Sequence, residues 1–229
     1  MELHKFFHIN TYNYPDQLTN AKGRLYEVKP RGKVFYRKGI NLSKDIKTNL
    51  HYSKRKYIKK KMSFSNLEKL LHNAYYIEDF GNVLHGTVPS AGGLFPLEVY
   101  IMALNVENLE RGIYHFDKVA GILTPVRFFN KIDLKRYFPN INNFISTAPV
   151  VLFLTCDFEN VVKKYGPRGY RYAYIEAGHV GQNIRNLCAK TDMGSCPVGA
   201  FFDEAINNLL HLEEGDFAIY AYTFGERDI

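Results

Sequence analysis

The 229-residue chain is 46% hydrophobic and 15% aromatic, enough to bury a substantial core and of a length for one ordinary domain. No stretch approaches the roughly 18–20 uninterrupted apolar residues that span a bilayer, and the opening MELHKFFHINTYNYPDQ lacks a signal-peptide layout, so a cytoplasmic protein with no membrane partner is expected. The net charge of +7 sits at one end: residues 1–61 hold 16 Lys/Arg against 4 Asp/Glu, and residues 62–229 hold 14 against 19.

Residues 1–48 scatter Pro, Gly, Asn and Tyr without a sustained period and read as an irregular N-terminal arm, wrapping a neighbour or packing over the core, ahead of a domain at 49–229. The basic run SKRKYIKKK at 53–61 suits an anion, whether nucleic acid, an anionic membrane surface or a cofactor phosphate, although most such runs are solvated surface. No zinc-finger, helix-turn-helix or RNA-binding aromatic motif accompanies it, and nucleic-acid binding is not expected. Within HYSKR at 51–55, Ser53 and Arg55 could together ligate one phosphate, the guanidinium in its forked geometry.

From Ser65 and Asn66, the spacing of Leu67, Leu70, Leu71 and Ala74 predicts a helix over 65–76. Four apolar runs rich in β-branched and aromatic residues predict strands, several buried on both faces: 97–106, 112–117, 148–157 and 217–225. Helical patterns occupy 132–138, about 171–190 and 203–210, with Val180, Ile184, Leu187 and Cys188 on one stripe of the longest. Together these predict an α+β domain. Cys156, Cys188 and Cys196 have neither Cys-x-x-Cys nor zinc-ligand spacing and read as reduced, partly buried thiols.

Three segments can carry chemistry. In TVPSAGGLFPLEVY (87–100), Gly92 and Gly93 let the backbone take positive φ and approach a flat ligand closely, with Pro89 and Pro96 stiffening the turn on both sides; an ordinary Gly-rich loop is an equal reading. Neither the dinucleotide fingerprint nor the P-loop pattern is present. KKYGPRGYRYAYIEAGHVGQNI (163–184) runs from a basic, Tyr-rich loop into the longest helix, and its adjacent Lys164 and Tyr165 form a candidate base pair, because a cation beside a phenol favours phenolate. A solvated lysine beside a packing tyrosine is the commoner fate of such neighbours. Glu176, His179 and Asn183 share a helix face and could bond each other or a ligand, while Gly178 and Gly181 suggest a tight helix crossing. With one His, one Glu and no H-E-x-x-H arrangement there, no metal site is expected. In MGSCPVGAFFDEAI (193–206), Gly194 and Gly199 frame a loop whose backbone N–H groups can meet the polar edge of a planar cofactor, and Asp203 is expected to cap the following helix.

Taken in order, HYSKRKY, PSAGGLFPLEVY, KKYGPRGYRYAYIEAGHVGQN and GSCPVGAF resemble the motif set of the SagB/McbC-type branch of the nitroreductase superfamily, from about residue 48 to 225. The resemblance implies a central, mostly antiparallel sheet flanked by helices, an interlocked homodimer, and FMN at its interface. It places the phosphate motif on His51, Ser53 and Arg55, with His51 replacing the usual first Arg, and the flavin contacts on Pro89, Ser90, Ala91 and Gly92 and on the backbone of Pro197, Val198, Gly199 and Ala200. It makes Lys164 and Tyr165 the catalytic pair of an oxidoreductase that dehydrogenates thiazoline or oxazoline rings of a ribosomally made peptide, with a cyclodehydratase as partner. Alternatives are an NAD(P)H-dependent nitro or quinone reductase on the same fold, and a catalytically idle scaffold subunit of a peptide-modifying complex. Arg227 is a further charge that could reach the phosphate.

Overall fold

A computed structural model of the protein describes residues 3–15, 52–81 and 83–228. His51 and most of the 1–48 arm lie outside the described residues. The described part of the arm contains a helix, α1 (Leu3–Asn10), rather than only irregular chain. It packs against the long helix through His8, whose Nδ1 lies 2.8 Å from the Tyr170 hydroxyl, and its imidazole rests 4.2 Å from the Phe217 ring.

Helix α2 spans Phe64–Ala74 and starts earlier than its apolar spacing suggests, because the Ser63 hydroxyl caps it by accepting the Asn66 N–H at 3.2 Å. A two-stranded ribbon follows, β1 (Ile77–Asp79) against β2 (Leu84–Gly86). The main sheet is built from β3 (Leu97–Ala103), β4 (Gly112–Asp117), β5 (Ile122–Phe128), β6 (Val150–Asp157), β7 (Met193–Val198) and β8 (Asp216–Glu226). Among the described residues these run in the order β5-β4-β3-β6-β8-β7, every neighbouring pair antiparallel. The remaining helices are α3 (Phe158–Tyr165), α4 (Gly169–Ala189) and α5 (Asp203–Leu210).

Central β6 shows why the strand reads as continuously apolar. Val150, Leu152, Leu154 and Cys156 point into the core shared with Leu67, Leu70 and Leu71 of α2 and Val180 and Ile184 of α4, while Val151 and Phe153 point into the opposite core with Ile206, Leu209 and Leu210 of α5. A strand covered by helices on both faces has no polar face to alternate. The α+β class and the antiparallel, helix-flanked sheet are as expected.

Several local expectations need correcting. The segment 132–138 forms only one 3-10 turn, Leu134–Arg136, because Asp133 caps it at once and Pro139 follows. Strand β5 is absent from the expectations, since Pro125 argues against a strand; it survives because β5 is an edge and the register shifts at Ile113/Tyr114, opposite the proline. The stretch expected as a cofactor-lining loop is in large part β7, another edge strand, with Pro197 and Val198 inside it and Gly199 and Ala200 beyond. The basic, Tyr-rich stretch expected as a loop ahead of the long helix is instead the end of α3, which Asp157 starts by accepting the Glu159 N–H at 2.7 Å, followed by a 3-10 turn at Gly166–Arg168. Asp203 does not cap α5: Phe202 holds that position, and the Asp203 carboxylate accepts the N–H of Asn13 at 2.7 Å. Gly181 marks a helix-on-sheet approach rather than a helix crossing, since a Cβ there would lie 1.8 Å from the Tyr222 hydroxyl of β8.

Candidate active site

One part of the candidate site is made by backbone shape. Between Val88 and β3 the chain makes a tight turn in which Gly92 and Gly93 take φ of 62° and 66°. Lys164 and Tyr165, on the last turn of α3, meet this turn directly. Lys164 Nζ donates to Gly92 O at 3.2 Å, and a Cβ on Gly92 would stand 2.4 Å from Tyr165 Oη and 2.5 Å from Lys164 Nζ. The missing side chain is therefore what lets the pair sit against the turn. Gly92 and Lys164 are exposed and Tyr165 is half-buried, so the cluster faces outward and is open to a ligand. The Tyr165 ring is held edge-on by Tyr172 at 5.1 Å, whose hydroxyl accepts from Arg168 Nε at 3.1 Å.

Of the other turn residues, Pro89 is exposed and Ala91 half-buried. The Ser90 hydroxyl is turned inward, donating to Glu176 Oε2 at 2.7 Å while accepting the Phe95 N–H at 2.8 Å. Of the three polar residues on one face of α4, Glu176 and Asn183 reach this segment, and His179 is exposed. Burial pushes the Glu176 carboxyl above its ordinary pKa, opposed by the hydroxyls of Tyr75 and Ser90 that bond it.

The second part is made by charge. Residues 52–57 lie along the end of the sheet: Lys54 N donates to Ser195 O of β7, Tyr57 bridges Arg227, and the Tyr57 hydroxyl lies 2.6 Å from Thr223 Oγ1 of β8. Gly194 permits this approach, because a Cβ there would lie 2.8 Å from Lys54 Cβ. The result is a cleft of about 170 Å³ whose walls include Ser53, Lys54, Arg185, Ser195, Pro197 and Arg227. Three cationic side chains and the Ser53 hydroxyl suit a phosphate-like anion. The volume is below the roughly 300–1,000 Å³ of a whole small-molecule site, so the cleft fits one end of a larger ligand. Arg227 is aimed by the turn before β7, donating from Nη2 to Thr191 O at 3.2 Å.

The structure thus brings Ser53 and Pro197 to this cleft. Arg55 is not part of its lining; with Ser53 it approaches the Cys196 thiol, and its guanidinium lies over the Phe144 ring at 5.8 Å. Val198 is buried in the core, whereas Gly199 is exposed and Ala200 half-buried just beyond. None of residues 89–93, 164 or 165 lines the cleft, so the two parts occupy separate places on one chain. Sequence reasoning missed Arg185, which lies on the same helix as Glu176, and it had named Arg227 without a position. Among the described residues no group of three or more His, Cys, Asp or Glu could hold a metal ion, and no helix is long and apolar enough to cross a membrane.

Residues 51–226 match the nitroreductase family. The chain belongs to that family. Within it, the chain is 32% identical over 170 residues to the nitroreductase-like protein MJ1384 of Methanocaldococcus jannaschii, covering 71% of this chain and 81% of that one. It is also 32% identical over 193 residues to the microcin B17-processing protein McbC of Escherichia coli, covering 79% and 71%. Among solved structures, a chain of the E. coli microcin synthetase McbBCD complex with truncated pro-MccB17 bound has the same fold, with a TM-score of 0.79 at 24% identity over 98% of this chain and 92% of that one. A nitroreductase-like protein of Anabaena variabilis matches with a TM-score of 0.65 and 27% identity over 78% of this chain, which spans only 37% of that protein's length. Membership makes the protein a nitroreductase-family oxidoreductase.

Proposed function

We propose that this oxidoreductase is an FMN-dependent dehydrogenase that oxidises thiazoline or oxazoline rings of a ribosomally made peptide to the aromatic azoles. The observation that carries the reading is the Lys164–Tyr165 pair seated on Gly92, two proton-handling groups at a backbone turn with no side chain between them and a flat ligand. The likeness to McbC, a microcin-processing protein, supports a peptide substrate. Nitroreductase-family members are commonly flavin proteins, which supports FMN as the cofactor.

The residues present fit that cofactor. Ser53, Lys54, Arg185 and Arg227 would hold its phosphate, and the backbone at Gly92 and at 197–200 would border its ring. FMN, when bound, supplies a two-electron acceptor for the hydride leaving the azoline ring. The protein's own part is the proton. Tyr165 Oη or Lys164 Nζ takes the α-proton of the ring, and Gly92 O keeps the lysine beside the phenol. Because the charged cleft and the glycine turn stand apart on one chain, the reading includes a homodimer whose interface brings one protomer's turn to its partner's cleft, and a cyclodehydratase partner that delivers the peptide.

The test is the absorbance spectrum of the purified protein, followed by azoline-peptide oxidation by the wild type and by Tyr165→Phe and Lys164→Ala. Bound FMN at one per protomer and a loss of about 10²–10⁴-fold in kcat on removing the base, with FMN retained, are expected. A protein that neither carries nor takes up FMN would sink the reading. A second reading, NAD(P)H-dependent reduction of nitro or quinone compounds, is favoured by the likeness to MJ1384; rapid NAD(P)H consumption with nitroaromatics and no azoline oxidation would replace the first.

A further inference from the structure

The turn that carries Gly92 has a backbone that needs holding, and what holds it lies on another element. Besides Gly92 and Gly93, Phe95 takes φ of 46°, a left-handed conformation that a bulky residue adopts only under constraint. Closure comes from Ser90, whose Oγ accepts the Phe95 N–H at 2.8 Å. A hydroxyl has one hydrogen, and that of Ser90 is spent on Glu176 Oε2 at 2.7 Å, which fixes the rotor so that a lone pair faces Phe95. The other oxygen of Glu176 accepts from Tyr75 Oη at 2.6 Å, anchoring the carboxylate at the end of α2. Glu176 is only 2% exposed. Seven residues on, two turns along α4, Asn183 Nδ2 donates to Thr87 O at 2.9 Å, so one helix grips both ends of the segment 87–95.

We propose that Glu176 is a positioning residue for the proton-handling pair: through Ser90 it sets the 90–95 turn, and through the Gly92 carbonyl it sets where Lys164, and the phenol beside it, stand. Only the naming of Lys164 and Tyr165 as that pair rests on the proposed function. The brace itself is a matter of geometry, and it commits the Ser90 hydroxyl to the protein rather than to a ligand.

Three variants test it: Ser90→Ala removes the link, Ser90→Thr restores the hydroxyl, and Glu176→Gln keeps the volume but sets an amide donor where two hydroxyls donate. Amide hydrogen exchange of the segment 90–96 is read in the cofactor-free protein, and kcat and KM for azoline oxidation in the loaded one. Loss of one buried hydrogen bond predicts exchange faster by about tenfold in 90–96 for Ser90→Ala and Glu176→Gln, with near-wild-type rates in β6. In the loaded enzyme kcat falls by about tenfold while the KM for peptide changes little, and Ser90→Thr recovers both readouts. Exchange in 90–96 within twofold of wild type in both disruptive variants overturns the proposal. So does acceleration spread evenly over the molecule, which marks a merely structural carboxylate. If the wild type has no azoline activity, the functional reading falls while the exchange arm still decides the brace.

Discussion

The two parts of the candidate site are built from opposite materials. At the turn, position is set by backbone: two glycines at positive φ, a carbonyl under Lys164, and a buried carboxylate behind them. At the cleft, position is set by long cationic side chains, Lys54, Arg185 and Arg227, reaching from three segments of the chain. A site end made of shape does not tolerate added volume. One made of charge tolerates volume and answers to salt.

The largest expected effect breaks the shape end. Gly92→Val puts a β-branched residue at φ 62° and drives its Cβ into the space of Tyr165 Oη and Lys164 Nζ. The left-handed backbone alone costs about 1–2 kcal/mol, and displacing the pair by an ångström costs about 10²-fold in rate. Loss of azoline oxidation of that size is expected, with phosphate-end affinity changed only a few-fold. A variant retaining a third or more of wild-type kcat would mean the turn does not select by shape.

A smaller effect sharpens the contrast at the charge end. Hydrogen bonds to charged groups contribute about 1.5–3 kcal/mol, so Arg227→Ala should weaken FMN binding by about 10–100-fold and flatten its salt dependence, while leaving riboflavin, which lacks the phosphate, nearly untouched. Titrating both flavins against wild type and variant checks this. Equal loss for both flavins would show that Arg227 acts through its contacts to Thr191 and Asp192 rather than on a phosphate.

Much of this was legible in the sequence, unevenly and for physical reasons. Buried strands announce themselves by apolar runs, and β4 and α5 have the bounds that their patterns predict. The edge strands β5 and β7 did not, because both contain proline and an edge needs fewer ladder bonds than a central strand. Lys164, Tyr165 and Gly92 stand out as chemical oddities in adjacent motifs, and the structure brings all three together. Arg185 was invisible because one arginine on a long helix carries no spacing signal; only the approach of residues 52–57 to β7 makes it part of a cleft. Ser90 looked like a ligand contact by its place in the motif. Its partner Glu176 lies 86 residues away, a separation no local pattern encodes.

The smallest expected effect concerns like charges at the other end of β8. Strand β8 leads into Arg227 at one end and begins with Asp216 at the other, directly across from Asp157 of β6. Burial, and then the neighbouring Asp157, Glu213 and Glu98, push the Asp216 carboxyl up to about 6. Glu98 has Lys118 and His115 as partners. A carboxyl raised in the folded state binds its proton there at pH values where the unfolded chain has released it. The contribution of Asp216 to stability is therefore greatest at low pH and falls as pH rises from about 4 to about 6. After discounting for its half-exposed position the loss is about 1 kcal/mol, or about 2–4 °C in Tm for a chain of this size. Asp216→Asn should accordingly raise Tm by that amount at pH 7.5 and by nothing at pH 4, the difference between variant and wild type cancelling other titrations. An equal gain at both pH values would assign the effect to packing. A gain confined to neutral pH would show that like charges facing one another at this end of β8 cost stability in the folded protein.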